Sequence, residues 1–320
     1  MKSFSYYFLR TFYTKYNSLK KIYKYDEVPK DILVNCPSCK SQDINDFYNM
    51  DRYGFNVRTS WCSNCGLIFV NPRINFDSYN RLYMDGFYRR IIEVVSVKKQ
   101  KSLDEIPKRV VLALSKLVEV YKDKELDVLD IGGTEGIYNY LDKNLKIRKY
   151  LCVNPGAEEA DIKVTSNVQV ANTTIEEFEA GDQKYDLILL FGTISHLMNP
   201  YEAFLKSRNL LKDDGLFVLD FKDNLTRMRA VNLPFTQLHF DHPIYFSKDS
   251  LETLVANVGL KVREHITYKN GVSYFFLAKE NNFSGEKTVN VETSGVALMA
   301  ERSRNASITN ILSKRFFWNS

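Results

Sequence analysis

One stretch constrains the fold more than any other: Val128-Leu129-Asp130-Ile131-Gly132-Gly133-Thr134-Glu135-Gly136-Ile137-Tyr138. An apolar run ends in an acid and then in three glycines, which reads as a buried strand, a tight turn and the start of a helix. Such a turn brings the carboxyl end of a strand and the amino end of a helix to one point, where open α/β sheets bind their ligands. Asp130, Gly132, Gly133 and Gly136 are therefore the expected cofactor-binding residues of this turn.

The same residues restrict the ligand. A dinucleotide fingerprint needs glycines in a G-x-G-x-x-G frame, and with Gly133 and Gly136 as its last two members the first falls on Ile131. No G-x-x-x-x-G-K-[ST] phosphate loop occurs. A carboxylate at Asp130 would repel a pyrophosphate, whereas it suits a ligand that carries an ammonium and a sulfonium.

A strand ending in Asp130, with Gly132 and Gly136 at the second and sixth positions after it, resembles motif I of class I S-adenosylmethionine-dependent methyltransferases. That pattern is D-x-G-x-G-x-G, and here Thr134 replaces the middle glycine. The resemblance implies an α/β fold, with a Rossmann-like seven-stranded methyltransferase sheet whose last strand is antiparallel. The elements can be placed on it. A helical period over residues 103–121 covers the sheet, and the first crossover helix occupies residues 137–144. The second strand is Tyr150-Leu151-Cys152-Val153, with Cys152 as a core residue. In the family an acid at the end of this strand accepts hydrogen bonds from the ribose hydroxyls. That position falls on Asn154, with Glu158 or Glu159 as nearby substitutes.

A third strand is placed near Val168–Val170, and the fourth runs from Tyr185 to Phe191, continuously apolar as a doubly covered strand should be. Phe191 joins the expected cofactor-binding set. Gly192 to Pro200 resembles the family's loop after strand four, with Ser195 in place of an acid, and a helix follows to Leu211. The fifth strand, around Leu216–Asp220, resembles the L-K-P-G-G-x-L-x-L pattern. Ser247 caps a helix with Asp249 in its first turn, and the strands 260–268 and 272–278 meet at Asn270-Gly271, a strong hairpin signal.

Ahead of this domain stand Cys36-Pro37-Ser38-Cys39 and Cys62-Ser63-Asn64-Cys65-Gly66. Two C-x-x-C knuckles let four thiolates reach one ion, so Cys36, Cys39, Cys62 and Cys65 are read as ligands of a zinc with no open coordination position, hence structural. A disulfide reading suits a chain with no export signal poorly. The continuation Cys65-Gly66-Leu67 to Asn71-Pro72-Arg73, directly before a methyltransferase domain, resembles a bacterial subfamily of sugar and cell-surface glycan pathways. Residues 239–247 resemble the E-H-x-x-Y-F-S signature that lies over the substrate in these enzymes. The resemblance spans about residues 33–279 and implies a small-molecule or glycan acceptor.

The chain divides into a basic aromatic arm (1–30), the ribbon (31–75), a linker or helical cover (76–100), the methyltransferase domain (101–280) and a tail with room for a helix (281–320). Phe4, Phe8, Phe12, Tyr16, Leu19 and Tyr23 form one apolar stripe if the arm is helical. Two uses are open: docking on the body or a second copy, or contact with an anionic membrane surface. The net charge of +5 lies in this arm, so the near-neutral body argues against nucleic acid as partner. No apolar run approaches the ~18 residues of a membrane span, and Arg10 interrupts the early apolar cluster, so a cytoplasmic address is expected.

Three of the four histidines, His196, His239 and His242, fall in the two loops that should flank the transferred methyl group. Methyl transfer to a hydroxyl needs a base near the departing proton, and imidazole has suitable basicity. His242 is the first choice, with Asp241 as its orienting partner, and His196 the second. The three departures at Thr134, Asn154 and Ser195 keep a rival open, a non-catalytic protein of the same fold that acts through a protein partner. A methyltransferase acting on protein or RNA, with the ribbon as reader, is a further alternative.

Overall fold

The computed structural model describes residues 17–95, 108–156, 162, 165–179, 181–231, 237–268, 272–281 and 293–305. Strand β1 (Lys30–Asp31) pairs antiparallel with β5 (Arg73–Ile74). Between them β2 (Ile44–Tyr48), β3 (Thr59–Cys62) and β4 (Ile68–Val70) form an antiparallel meander. Two short helices follow, α1 (Phe76–Met84) and α2 (Phe87–Val95). Asn75 caps α1 by accepting from the Ser78 N–H at 3.0 Å. Gly86, at φ +67°, turns the chain between the two helices in a conformation that suits glycine.

Helix α3 (Lys108–Tyr121) leads into the main sheet, and residues 103–107 of the expected helix lie outside the described ones. Its strands are β6 (Glu125–Ile131), β7 (Lys146–Val153), β8 (Val168–Ala171), β9 (Tyr185–Leu190), β10 (Leu211–Lys222), β12 (Leu260–Tyr268) and β13 (Val272–Lys279). The spatial order is β12-β13-β10-β9-β6-β7-β8, with β13 antiparallel to both neighbours and the other pairs parallel. This is the seven-stranded sheet that the sequence implied. Tyr268 pairs with Val272, while the Asn270-Gly271 turn itself lies outside the described residues. Strand β10 begins at Leu211, five residues earlier than expected, because Leu211 already pairs with Tyr185 before an irregularity that ends at Leu216.

Alternation along the strands sorts side chains onto two faces. Leu129, Ile131, Ile188, Leu190, Phe217 and Leu219 pack on one face beneath α5 (Pro200–Leu210) and α7 (Lys248–Asn257). Val128, Leu187, Leu189 and Val218 pack on the other, beneath α3 and α4 (Glu135–Asn144). Helix α7 starts at Ser247 with a reciprocal capping box to Ser250.

The amino-terminal ribbon has no separate core. Cys36, Cys62, Cys65, Leu67 and Phe69 pack in the same cluster as Leu129, Phe204 and Leu251. Strand β11 (Ile244–Tyr245), which comes late in the chain, completes the ribbon sheet by pairing with β4, Ile244 against Phe69. A third cluster joins the outer ribbon face to α1, to α6 (Asn224–Val231) and to a carboxyl-terminal helix, α8 (Ser294–Asn305). The described end of the arm docks here: Leu19 is buried, and the Tyr23 ring stacks on Phe240 at 5.4 Å. Phe4, Phe8, Phe12 and Tyr16 lie outside the described residues. No helix among the described residues is long and apolar enough to cross a membrane.

Candidate active site

At the β6–α4 turn Gly132 adopts φ +73°, and its N–H donates to the Val153 carbonyl at 2.8 Å. A Cβ there would collide with the Thr193 side chain of the loop after β9, so glycine is required for both conformation and space. Gly133 lies directly over the Asp130 carboxylate, and a Cβ at that position would overlap it. The turn is held from the β7 side as well, where the Asn154 amide donates to the Gly133 carbonyl at 3.2 Å.

A cavity of about 700 Å³ opens at the carboxyl ends of β6, β7, β8 and β9. Ile131, Gly132, Thr134, Asn154 and Phe191 line it, as do Tyr83 and Tyr88 on the side of α1 and α2. Three residues expected to touch a ligand, Asp130, Gly133 and Gly136, do not line it. For Asp130 the reason is the fold of its own turn: Gly133 closes over the carboxylate, which is fully buried and accepts a short hydrogen bond from the Tyr150 hydroxyl. Its other oxygen has no partner among the described residues, and burial raises the carboxyl to about 7. Asp130 thus anchors the turn from beneath. Glu158 and Glu159 lie outside the described residues.

The histidines of two loops meet beside this cavity. His196, in the 3₁₀ turn Ile194–His196, lines it, and its ring packs edge-on against His242 at 4.6 Å. His239 stacks on His242 at 4.5 Å. The Tyr83 hydroxyl lies 2.7 Å from His196 Nδ1, and the Asp241 carbonyl 3.2 Å from the same atom. Tyr79 donates to that carbonyl at 2.9 Å. Burial lowers both His196 and His242 to about 3. The neighbouring His242 adds to the effect on His196, and Lys222 and Arg52 add to that on His242. Both imidazoles are therefore neutral near pH 7.

Asp241 does not orient His242 as expected. Its carboxylate oxygens stand 3.9 Å from His242 Nε2 and 3.9 Å from His239 Nδ1, beyond hydrogen-bonding range. Adjacent residues on this turn project apart, and it is the Asp241 carbonyl that engages an imidazole, that of His196.

The four cysteines converge. Cys36 Sγ lies 3.7 Å from Cys65 Sγ, and Cys39 Sγ lies 3.6 Å from Cys62 Sγ. No disulfide joins them. A tetrahedron with metal–sulfur bonds of about 2.3 Å has edges near ~3.8 Å, so the separations suit a zinc ion. Each knuckle closes through a left-handed residue, Lys40 at φ 61° and Gly66 at φ 74°.

Three supports were not foreseen. Arg73, nearly buried, donates to the Met198 carbonyl and, at 3.2 Å, to Asn199 Oδ1, pinning the loop after β9 to the ribbon. Glu176 accepts from the N–H groups of Met198 and Asn199 at 3.0 and 3.2 Å. Asp51 accepts from the N–H groups of Tyr53, Phe55 and Phe240, which fixes the start of the His239–His242 loop. The Asn71-Pro72-Arg73 motif carries a family resemblance, yet nothing local announces where Arg73 reaches.

Residues 99–265 match a protein-family model described as a methyltransferase domain. Among solved structures, 1,6-didemethyltoxoflavin-N1-methyltransferase of Burkholderia thailandensis is 14% identical, with 66% of this chain and 93% of that chain covered at a TM-score of 0.46. An S-adenosylmethionine-dependent methyltransferase of Clostridium acetobutylicum is 12% identical, covering 61% and 98%, at a TM-score of 0.44. A further match is 25% identical over 129 residues to the phenylalanine–tRNA ligase alpha subunit of Saccharolobus solfataricus. It covers 38% of this chain and only 27% of that protein.

Proposed function

The chain belongs to the methyltransferase-domain family, and on that premise we propose that it methylates a hydroxyl of a sugar, a nucleotide-linked sugar or a surface-glycan intermediate. Its fold is that of S-adenosylmethionine-dependent methyltransferases. The observation that carries the reading is the pairing of a cofactor-sized cavity at the strand ends with the uncharged His196 imidazole at its wall and His242 packed against it.

The cavity residues fit the cofactor. Gly132 lines the cavity with backbone alone, in a turn where a side chain would strike Thr193. The Asn154 amide nitrogen is spent on the Gly133 carbonyl, so its oxygen is the group left to accept from ribose hydroxyls. Bound there, S-adenosylmethionine supplies a methyl group on a positively charged sulfur. The chain's own residues position the acceptor and receive its proton. His242 takes that proton as general base, the charge developing on the acceptor offsetting the burial that lowers its imidazole to about 3, and His196 lines the cavity as the alternative. Asp241, at 3.9 Å, lies close enough to stabilise the imidazolium that forms. The four cysteines hold a structural zinc in this reading, and the acceptor class rests on the ribbon and the 239–247 resemblance. A cytoplasmic address is proposed with it.

Calorimetric titration of the purified protein with S-adenosylhomocysteine tests the reading. Micromolar binding that is lost on Asn154→Ala supports it. Silence at millimolar ligand would sink it and favour the rival, a protein of this fold acting through a partner, which the departures at Thr134 and Asn154 otherwise motivate.

A further inference from the structure

We propose that His196, Asp241 and His242 form a binding site for one divalent transition-metal ion beside the cavity at the strand ends, distinct from the four cysteines. Each residue offers one ligand atom, and the three atoms lie within 4.8 Å of one another. The ligands come from two loops 45 residues apart in sequence, the turn after β9 and the segment leading into β11, so the fold itself brings them together. Two imidazoles and a carboxylate are the donor set that first-row divalent ions accept while keeping further positions open.

The Asp241 carboxylate is 5% exposed and stands 3.9 Å from ring nitrogens of both His239 and His242, outside hydrogen-bonding range but within reach of an ion placed between carboxylate and ring. Ligands at about 2.1 Å from an ion stand roughly 3 to 3.4 Å apart, so small side-chain rotations close the present spacing. The Tyr83 hydroxyl and the Asp241 carbonyl hold the His196 ring, as outer partners do for metal-bound histidines. Arg52, bonded to His239 at 3.2 Å, adds positive charge nearby and sets the expected affinity in the micromolar range rather than tighter.

His196 also lines the cavity, so open positions of the ion face the place of the acceptor. The class of ligand this selects is an acceptor with two adjacent oxygens, such as a vicinal diol or a hydroxyl beside a carboxylate. In this role the ion, rather than a free imidazole, would favour loss of the acceptor's proton to solvent; the role rests on the methyl-transfer reading, and the binding of the ion does not.

The experiment uses the full chain with its zinc content measured before and after. Nickel(II) is titrated calorimetrically, and the nickel edge is read by X-ray absorption. The expected result is one nickel per chain with zinc retained, a shell of nitrogen and oxygen with two imidazoles, and at least tenfold weaker binding in Asp241→Asn. A cooperative melting transition and zinc content equal to those of wild type show that the variant folds. Sulfur in the nickel shell, an unaltered affinity in Asp241→Asn, or no nickel uptake by the wild type would overturn the site. If nickel binds as expected but S-adenosylhomocysteine does not bind the wild type, the methyl-transfer reading falls and the ion site stands.

Discussion

Replacing Asp130 by asparagine should stabilise the protein at alkaline pH, by an amount the structure allows to be worked out. The carboxyl is raised from 3.8 to about 7 by complete burial. A folded-state pKa above the unfolded one stabilises the fold fully below pH 3.8, and that stabilisation is lost as pH rises through about 7. Three units at ~1.4 kcal/mol each amount to about 4 kcal/mol in all, of which roughly 2 to 3 kcal/mol is lost between pH 5 and pH 8. Asparagine keeps an acceptor for the Tyr150 hydroxyl and never ionises. Urea unfolding of both proteins at pH 5, 6, 7 and 8 isolates the effect, since Asp51 and the histidines titrate alike in each and cancel in the difference. The stability of Asp130→Asn relative to wild type should climb by roughly 2 to 3 kcal/mol over that range. A flat difference would refute the burial argument. The variant should also bind S-adenosylhomocysteine within about threefold of wild type, because Asp130 does not line the cavity.

Three shorter predictions accompany it. Cys39→Ser should abolish retention of one zinc per chain by elemental analysis and lower the melting temperature by several degrees, because the cysteine cluster shares a core with the main sheet. Gly132→Ala forces a Cβ into the left-handed region and against Thr193, so it should cost about 1 to 2 kcal/mol in urea unfolding and weaken S-adenosylhomocysteine binding at least tenfold. His242→Gln should lower kcat by about 10² to 10⁴ once an acceptor is known, with cofactor affinity unchanged by calorimetry; equal loss in both would place His242 in the binding surface instead.

The elements that sequence revealed are those whose evidence is local. Strand β9 is buried on both faces, so it must be apolar throughout, and β12 and β13 alternate or run apolar around a turn signal. The cysteine knuckles likewise carry their geometry in their spacing. Asp130 shows the limit of such reasoning: its neighbours locate the turn correctly, yet the direction of the carboxylate depends on Gly133 folding back over it and on Tyr150 from the next strand. Arg73 and Met198 stand 125 residues apart, and no propensity or period encodes that hydrogen bond.

The pairing that matters most for the site was equally hidden. Strand β11 belongs by sequence to the methyltransferase domain and by hydrogen bonding to the ribbon, where Val70 donates to the Pro243 carbonyl at 2.8 Å and Ile244 pairs with Phe69. Asp51 clamps the other end of the same loop through the Phe240 N–H at 3.1 Å. His239, Asp241 and His242 are therefore suspended from the ribbon at both ends and meet His196 only across the seam between the ribbon and the main sheet. Arg73 ties the His196 loop to the same ribbon. A ribbon that loosens would separate the imidazoles before it disturbs the Gly132 turn, so cofactor binding should outlast methyl transfer as the cysteine cluster is progressively titrated with a thiol reagent. Simultaneous loss of the two would show that the ribbon holds up the whole cavity rather than its histidine wall.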